Sequence, residues 1–111
     1  MNYKIKNRIW IEGDKGTYLA EGRVALLKEI IELGSITSAA KSMKMSYKKA
    51  WDIIDGMNRE ASEPLVERVS GGKGGGGTIV TEKGEEVIKK FEQLNNNCRK
   101  YLEVQLLEIG L

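Results

Sequence analysis

Residues 3–12 alternate between apolar and polar side chains, with the two-residue period that is typical of a β-strand. The apolar residues on one face of the predicted strand, which covers residues 3–12, are Tyr3, Ile5, Ile9 and Ile11. Residues 13–16 have the composition of a turn, and residues 17–19 can return as a second strand. The pattern therefore predicts a β-hairpin within residues 1–20.

Residues 21–61 change to the spacing of three and four residues that gives a helix one apolar face. Three helices are predicted, over residues 21–33, 36–43 and 47–61. The apolar face of the first is predicted to hold Val24, Leu27, Ile30 and Ile31. Gly34 follows that helix in the position of a C-terminal glycine, and Ser35 and Ser46 are N-cap candidates for the next two. Pro64 predicts the end of the third helical region, because the residue before a proline leaves the helical conformation.

A second hairpin is predicted over residues 65–80, with strands at 65–69 and 78–80. The residues between the strands, 70–77, hold six of the thirteen glycines of the chain. Thr81 is the N-cap candidate of a final helix that runs to about Glu108 and is about 40 Å long. Two helices joined by a short break and followed by a hairpin predict a winged helix-turn-helix, mainly α with a small β component.

Composition limits the chemistry that the chain can perform. It has 111 residues, no histidine and one cysteine, Cys98. The commonest general base is therefore absent, and a zinc site would need several Cys or His ligands. We expect a non-enzymatic domain without metal or cofactor. The first residues lack the apolar stretch of a secretion signal, and no apolar run approaches the roughly 20 residues that span a bilayer, so we expect a cytoplasmic protein without membrane contact.

Positive charge is concentrated in the middle of the chain. The net charge is only +2, but residues 35–49 contain four lysines and no acidic residue. A basic first half of the third helix favours DNA, because the helix N-terminus and its free N–H groups attract phosphate. The DNA-binding residues are predicted to be Ser35, Thr37, Ser46, Tyr47, Lys48, Lys49, Trp51, Asp52, Arg68 and Lys73. The alternative is a solvated lysine face on an ordinary helix.

Individual roles within this set follow from position on the helix. Tyr47 and Lys48 can reach base edges, whereas Ser46 can hold a phosphate. Trp51 is either a packing residue or a partly exposed ring against the sugar-phosphate backbone. Asp52 would repel phosphate, so it either orients Lys48, the interpretation we favour, or accepts a hydrogen bond from a cytosine amino group.

The glycine-rich segment is predicted to be the tip of a DNA-binding wing. A Walker phosphate-binding loop needs Ser or Thr after its lysine and a helix after the loop. Here Gly74 follows Lys73 and a predicted strand follows the loop, so a nucleotide-binding enzyme is only the third interpretation. The wing interpretation places Lys73 and Arg68 close to DNA, and the alternative is a hairpin tip without a partner.

The final helix carries more apolar surface than a single small domain is expected to cover. One stripe, spaced by four and three residues as in a heptad repeat, holds Val87, Phe91, Leu94, Cys98 and Tyr101, and a second row adds Leu102, Leu106 and Ile109. We expect this helix to pair with that of a second copy, forming a homodimer; the alternative is cover by another domain. The chain is then one domain over 1–111, with a hairpin at 1–20, the helix-turn-helix and wing at 21–81, and a dimerisation helix at 82–111.

Four segments together resemble the N-terminal winged-helix domain of the ModE-type molybdate-responsive transcription regulators, itself similar to LysR-type domains. They are GSITSAAK at 34–41, MSYKKAW at 45–51, Met57-Asn58 and GGKGGGG at 71–77. The resemblance implies a dimeric, sequence-specific repressor or activator, with Ser46, Tyr47 and Lys48 in the recognition helix and Lys73 in the wing. Members that sense molybdate carry C-terminal oxyanion-binding domains, which the sequence to Leu111 does not contain, so we do not expect this polypeptide to bind molybdate.

The sequence therefore predicts a homodimeric transcription regulator whose partner is double-stranded DNA. Lysines would supply affinity for phosphate irrespective of sequence, and the first turns of the recognition helix would supply specificity. The alternative is a winged-helix module that binds another protein and does not read DNA.

Overall fold

The computed structural model describes residues 2–69 and 77–111. Its elements in chain order are β1 (Trp10–Gly13), β2 (Gly16–Ala20), α1 (Glu21–Leu33), α2 (Ile36–Ser42), α3 (Tyr47–Glu60), β3 (Val66–Val69), β4 (Gly77–Val80) and α4 (Glu82–Ile109). Strands β1 and β2 pair as one antiparallel hairpin, and β3 and β4 pair as another. This order confirms the predicted winged helix-turn-helix.

The helix ends lie where the sequence placed them. Ser35, Ser46 and Thr81 are the N-caps of α2, α3 and α4, and each side chain accepts a hydrogen bond from the backbone N–H three residues later, at 3.0, 3.0 and 3.1 Å. Gly34 ends α1 at φ 79°, a left-handed conformation that glycine adopts without steric cost. Three short polar residues and one glycine thus fix one end of each of the four helices.

A single apolar core joins all four helices and the two hairpins. Its buried side chains are Leu19, Val24, Leu26, Leu27, Ile30, Ile36, Ala39, Ala40, Ala50, Ile54, Met57, Leu65, Val66, Val87, Ile88 and Phe91. The prediction for α1 was wrong at Ile31, which is exposed, whereas Leu26 is fully buried. Helix α1 packs against α2, α3 and α4, so its buried face is wider than one stripe and Ile31 lies at the edge of the α1–α4 contact.

The N-terminal strand is shorter than predicted, because only residues 10–13 pair with β2. Before Trp10 the chain still alternates, with Ile5, Asn7 and Ile9 half-buried and their neighbours exposed, but its partner is α4. The Asn7 side chain donates to Asn95 Oδ1 at 3.4 Å and to Cys98 Sγ at 3.7 Å. An extended segment that lies on a helix has the same two-residue period as a strand, which is why the pattern predicted strand here.

The second hairpin is fixed to the start of α4 through the residues just before β3. The Thr81 N–H donates to Leu65 O at 2.9 Å, and its hydroxyl donates to Pro64 O at 2.7 Å. Gly84 lies against the same backbone, where an added Cβ would be 2.5 Å from Leu65 O and 2.6 Å from Val80 Cγ1. Glycine is therefore required at this position because the helix and the hairpin backbone approach each other closely.

Substitution of Gly84 by alanine is expected to destabilise the fold. Alanine normally stabilises a helix relative to glycine, but here the methyl group would overlap backbone, and overpacking costs about 1–3 kcal/mol. Urea denaturation followed by circular dichroism measures the change in the free energy of unfolding.

Gly22→Ala in α1 is the matched control, because a Cβ at Gly22 would meet nothing within 4 Å. This variant is expected to be as stable as the unmodified protein or more stable by up to about 1 kcal/mol. Equal effects of the two substitutions would show that Gly84 is not a close-packing position.

Candidate nucleic-acid interface

Small residues bring α2 and α3 into close contact and fix the turn between them. Ala39, Ala40 and Ala50 are buried at this contact. In the turn, Lys44 has φ 57°, and Met45 N–H donates to Ala40 O at 3.0 Å. The turn leaves α3 with a fixed orientation in which its buried residues face the core and its charged residues face outward.

The outward face of α3, which we define as Lys48, Asp52, Asp55 and Arg59, is exposed along the helix. Lys48 Nζ lies 2.9 Å from Asp52 Oδ2, and the Lys48 side chain is 84% exposed. This contact is the one predicted if Asp52 orients Lys48. An exposed pair of this kind adds at most about 0.5 kcal/mol to stability, so it directs the lysine rather than holding the fold together.

On one side of this face, α3 meets the base of the second hairpin in an open groove of about 330 Å³. Its walls are the first turns of α2 and α3 and the ends of β3 and β4, through Ser35, Ile36, Thr37, Tyr47, Trp51, Arg68, Val69, Gly77 and Thr78. Five of the predicted DNA-binding residues thus line one groove. The hydroxyls of Ser35 and Ser46 accept hydrogen bonds as N-caps. The sequence analysis predicted both residues as N-caps and as DNA-binding residues, but it did not consider that one hydroxyl would have to do both.

The guanidinium of Arg68 is stacked on the indole of Trp51, with Arg68 Cζ 4.2 Å from the ring centroid. Tyr47 meets the same indole edge-on, with ring centroids 6.4 Å apart and planes at 77°. Trp51 is half-buried, and its Nε1 is inaccessible and has no hydrogen-bond partner among the described residues. The ring is therefore packed between the core and Arg68, and it joins the wing strand β3 to the first turns of α3.

Asn58 provides a second link between α3 and the wing, a role that the sequence analysis did not assign to it although Met57-Asn58 is part of the family resemblance. Its Oδ1 accepts hydrogen bonds from Leu65 N at 2.8 Å and Val66 N at 3.3 Å, and its Nδ2 donates to Val66 O at 3.0 Å. The two N–H groups lie in a buried stretch, where an unpaired donor would be costly. One side chain on α3 thus fixes where β3 begins.

Two further predicted residues of the DNA surface are Lys49 and Lys73. Lys49 is exposed on α3, on the side away from the wing, and it donates its backbone N–H to the Ser46 cap. Lys73 lies outside the described residues, as does the rest of 70–76.

The residues of the predicted apolar stripe of α4 do not share one environment. Val87 and Phe91 are buried in the core of their own chain, so their side chains are not available to a partner. Leu94 and Tyr101 are exposed, at 48% and 64%. Val104, which the sequence analysis did not single out, continues their row ten residues after Leu94 and is 51% exposed. Because 94, 97, 101 and 104 are spaced by three and four residues, they lie on one face of the helix.

The N-terminal segment covers the other side of the outer half of α4. Cys98 and Leu102 are half-buried, and Cys98 receives the hydrogen bond from Asn7. Tyr3, Lys4 and Ile5 lie beside Glu103, Leu106 and Leu107. The predicted dimer residues therefore have three surroundings: the core, the N-terminal segment and solvent.

The described residues do not bring together three or more His, Cys, Asp or Glu side chains that could hold a metal ion. Nor is any helix in residues 2–69 or 77–111 long and apolar enough to cross a bilayer.

Residues 22–85 match the family of bacterial regulatory helix-turn-helix proteins of the LysR type, and this match covers more than half of the chain. The chain belongs to the LysR family of regulatory helix-turn-helix proteins. A solved LysR family transcriptional regulator has the same fold, with a TM-score of 0.58 over 84% of this chain and 30% of that protein at 22% identity. The LysR-like winged helix predicted from the sequence is confirmed.

Curated relatives confirm the resemblance to ModE-type regulators. The molybdenum transport protein ModE of Azotobacter vinelandii is 47% identical over 86% of this chain. The transcriptional regulator ModE of Haemophilus influenzae is 44% identical over 76% of it, and the DNA-binding transcriptional dual regulator ModE of Escherichia coli is 44% identical over 74%. The matched region is 36%, 33% and 31% of the length of these relatives, so the chain spans about one third of each.

Asn58→Ala is expected to destabilise the LysR-type fold by about 1–3 kcal/mol, because two buried N–H groups would lose their acceptor. Chemical denaturation measures the loss, and hydrogen exchange of the Leu65 and Val66 amides locates it.

Asn96→Ala is the control, since Asn96 is exposed on α4 and should change stability by less than about 0.5 kcal/mol. Undiminished protection of the Leu65 amide in Asn58→Ala would contradict the role assigned to Asn58.

Proposed function

We propose that this chain is a homodimeric, sequence-specific DNA-binding unit of a transcription regulator. The single observation that carries the proposal is that the start of α3 is exposed and basic and lies beside strand β3 of the wing. The stacking of Arg68 on Trp51 joins this strand to α3. In this proposal the recognition helix, predicted at 46–61 and observed as α3, enters the major groove, and the glycine-rich wing, predicted at 70–77, lies on the flanking backbone. The proposed site of action is the cytoplasm.

The first turns of α3 suit a DNA surface for electrostatic and geometric reasons. Free N–H groups and the helix dipole favour phosphate near the N-terminus, where no acidic residue lies in the first turn. Lys48 is exposed and directed by Asp52, so it can reach a guanine edge or a phosphate. Tyr47, half-exposed and steadied by Trp51, can contact bases or sugars beside it.

Homodimerisation is supported by the exposed row on α4, which we now assign to Leu94, Tyr101 and Val104 instead of the full predicted stripe. Soluble monomers seldom expose several large apolar side chains together. A second copy packed on this row about a two-fold axis would cover it on both chains. It would also hold two α3 helices at a fixed separation, as recognition of two half-sites requires.

The names of the relatives support regulation of transcription as the purpose of DNA binding. The relatives from Haemophilus influenzae and Escherichia coli are named as transcriptional regulators, and the second also as DNA-binding. Since the chain spans a third of their length, regulation by this chain, its partners and any response to a ligand remain part of the proposal.

Lys48→Ala is expected to weaken binding to the preferred operator by about 1–3 kcal/mol if Lys48 contacts a base, and to weaken all duplexes alike if it contacts phosphate only. The operator is first selected from random duplex DNA, and affinities are then measured by fluorescence anisotropy at several salt concentrations.

Lys89→Ala is the matched control, because Lys89 is an exposed lysine on α4 beside α1. It removes the same charge and should leave operator affinity unchanged. Unaltered affinity of Lys48→Ala for every duplex would show that α3 does not read DNA, and binding that ignores salt would favour the protein-binding alternative.

Leu94→Lys is expected to dissociate the dimer, because a charge at the first position of the apolar row cannot be buried without a partner. Each winged helix should remain folded, since Leu94 lies outside the core. Sedimentation velocity at micromolar concentration measures the mass, and tight operator binding should be lost with the dimer.

Asn96→Lys adds the same charge to an exposed position two residues away and off the row, so it should stay dimeric. Sedimentation of the unmodified protein as a monomer at every concentration would refute the dimer.

A further inference from the structure

Two arginine side chains converge on the side of α3 that faces away from the wing. At Gly56, the position that a Cβ would take lies 3.2 Å from Nη1 of Arg23 and 3.9 Å from Nη2 of Arg59. Both guanidinium groups thus reach the same point, one from the first turn of α1 and one from the last turn of α3. Gly56 makes room for them, since any larger residue would meet Arg23.

Neither guanidinium has a carboxylate within salt-bridge distance among residues 2–69 and 77–111. Arg23 is half-buried, and its Nη1 is inaccessible to solvent and without a hydrogen-bond partner there. Burial lowers the pKa of this guanidinium. Two like charges brought together with donors unused favour an anion between or beside them.

The carboxylates near this point are engaged elsewhere. A groove of about 150 Å³ surrounds it, lined by Lys15, Gly16, Thr17, Arg23, Asp52, Gly56, Arg59 and Glu60. Asp52 is paired with Lys48 at 2.9 Å. Glu60 accepts hydrogen bonds from the Lys15 backbone N–H with both oxygens, at 2.9 and 3.2 Å, and so fixes the β1–β2 turn to α3. Lys15 also lines the groove and carries a third positive charge.

The groove lined by Arg23 and Arg59 lies at a position on α3 that suits contact with the backbone of a bound DNA duplex. On the helix, Trp51 and Gly56 lie on opposite sides of the outward face, so the wing flanks that face on one side and this groove flanks it on the other. Gly56 is eight residues from Lys48, about 12 Å along the helix axis. That length is close to the width of the major groove, about 12 Å.

We infer that Arg23 and Arg59, with Lys15, form a phosphate-binding site between the N-terminal hairpin and α3. The inference rests on the proposed function for its preferred ligand, a backbone phosphate of the DNA strand opposite the wing. Free inorganic phosphate presents the same tetrahedral oxygens to the two guanidinium groups. The hairpin turn would then act as a second flanking contact, and it would position α3 without reading sequence.

The test uses the intact protein and two probes, duplex DNA and inorganic phosphate. Arg59→Gln and Arg23→Gln are each expected to lower the slope of log affinity against log salt by about 1 and to weaken all duplexes alike. Lys89→Gln, an exposed lysine outside the groove, should leave the slope unchanged. Thermal melting shows whether Arg23→Gln is folded. If it is not, Arg59→Gln alone decides the test, because Arg59 is exposed.

The phosphate arm follows the side-chain N–H signals of both arginines by NMR as inorganic phosphate is added, with chloride at equal ionic strength as reference. A saturable shift of both signals in the unmodified protein, with the shift of the Arg23 signal lost in Arg59→Gln, supports the site. Unchanged slopes of DNA affinity against salt would then assign it to free phosphate. Lowered slopes in both arginine variants assign it to the DNA backbone.

The inference is overturned if phosphate gives no saturable shift and the slopes equal that of Lys89→Gln. Absence of salt-dependent DNA binding by the unmodified protein would refute the proposed function, while the phosphate arm still decides the site.

Discussion

The backbone of Leu65 is the junction on which the arrangement of the interface depends. Its N–H donates to Asn58 Oδ1 on α3 at 2.8 Å, and its carbonyl accepts from Thr81 N–H at the start of α4 at 2.9 Å. The side chain is fully buried between them. Because a buried polar backbone group is costly to leave unpaired, α3 and α4 are both held to the base of the second hairpin through the backbone of this residue.

The orientation of α3 about its own axis determines which of its residues face the core, the wing and the N-terminal hairpin. Ala50, Ile54 and Met57 are fully buried and face the core. Because these three residues face the core, Trp51 faces the wing and Gly56 faces the N-terminal hairpin. Lys48 lies between them on the outward face. The hairpins on the two sides are attached by similar means, since Asn58 binds the backbone of the wing and Glu60 binds the backbone of the β1–β2 turn. The outward face of α3 therefore has one hairpin fixed on each side within a single chain.

The sequence predicted the features that depend on local chemistry. Helix caps such as Ser46 and the left-handed Gly34 are decided by neighbouring backbone groups, so their residue types identify them. Partners distant in sequence were not predictable from pattern. The alternation before Trp10 fits a strand or an extended chain on a helix equally well, and the spacing of Phe91 and Leu94 fits one stripe although only Phe91 is buried. The convergence of Arg23 on Gly56 depends on the packing of α1 against α3, which no single segment encodes.

Helix α4 serves two purposes because it is longer than the core that it covers. Its first turns, as far as Phe91, bury apolar side chains against the rest of the chain, and its 28 residues extend about 42 Å, well past them. The N-terminal segment covers one side of the outer half through Asn7 and leaves the row that contains Leu94 open. Since Thr81 fixes the start of this helix to Leu65, its direction relative to α3 is set within one chain. Any copy that packs on the open row therefore acquires a defined geometry between the two α3 helices from the junction itself, without further contacts between the winged helices.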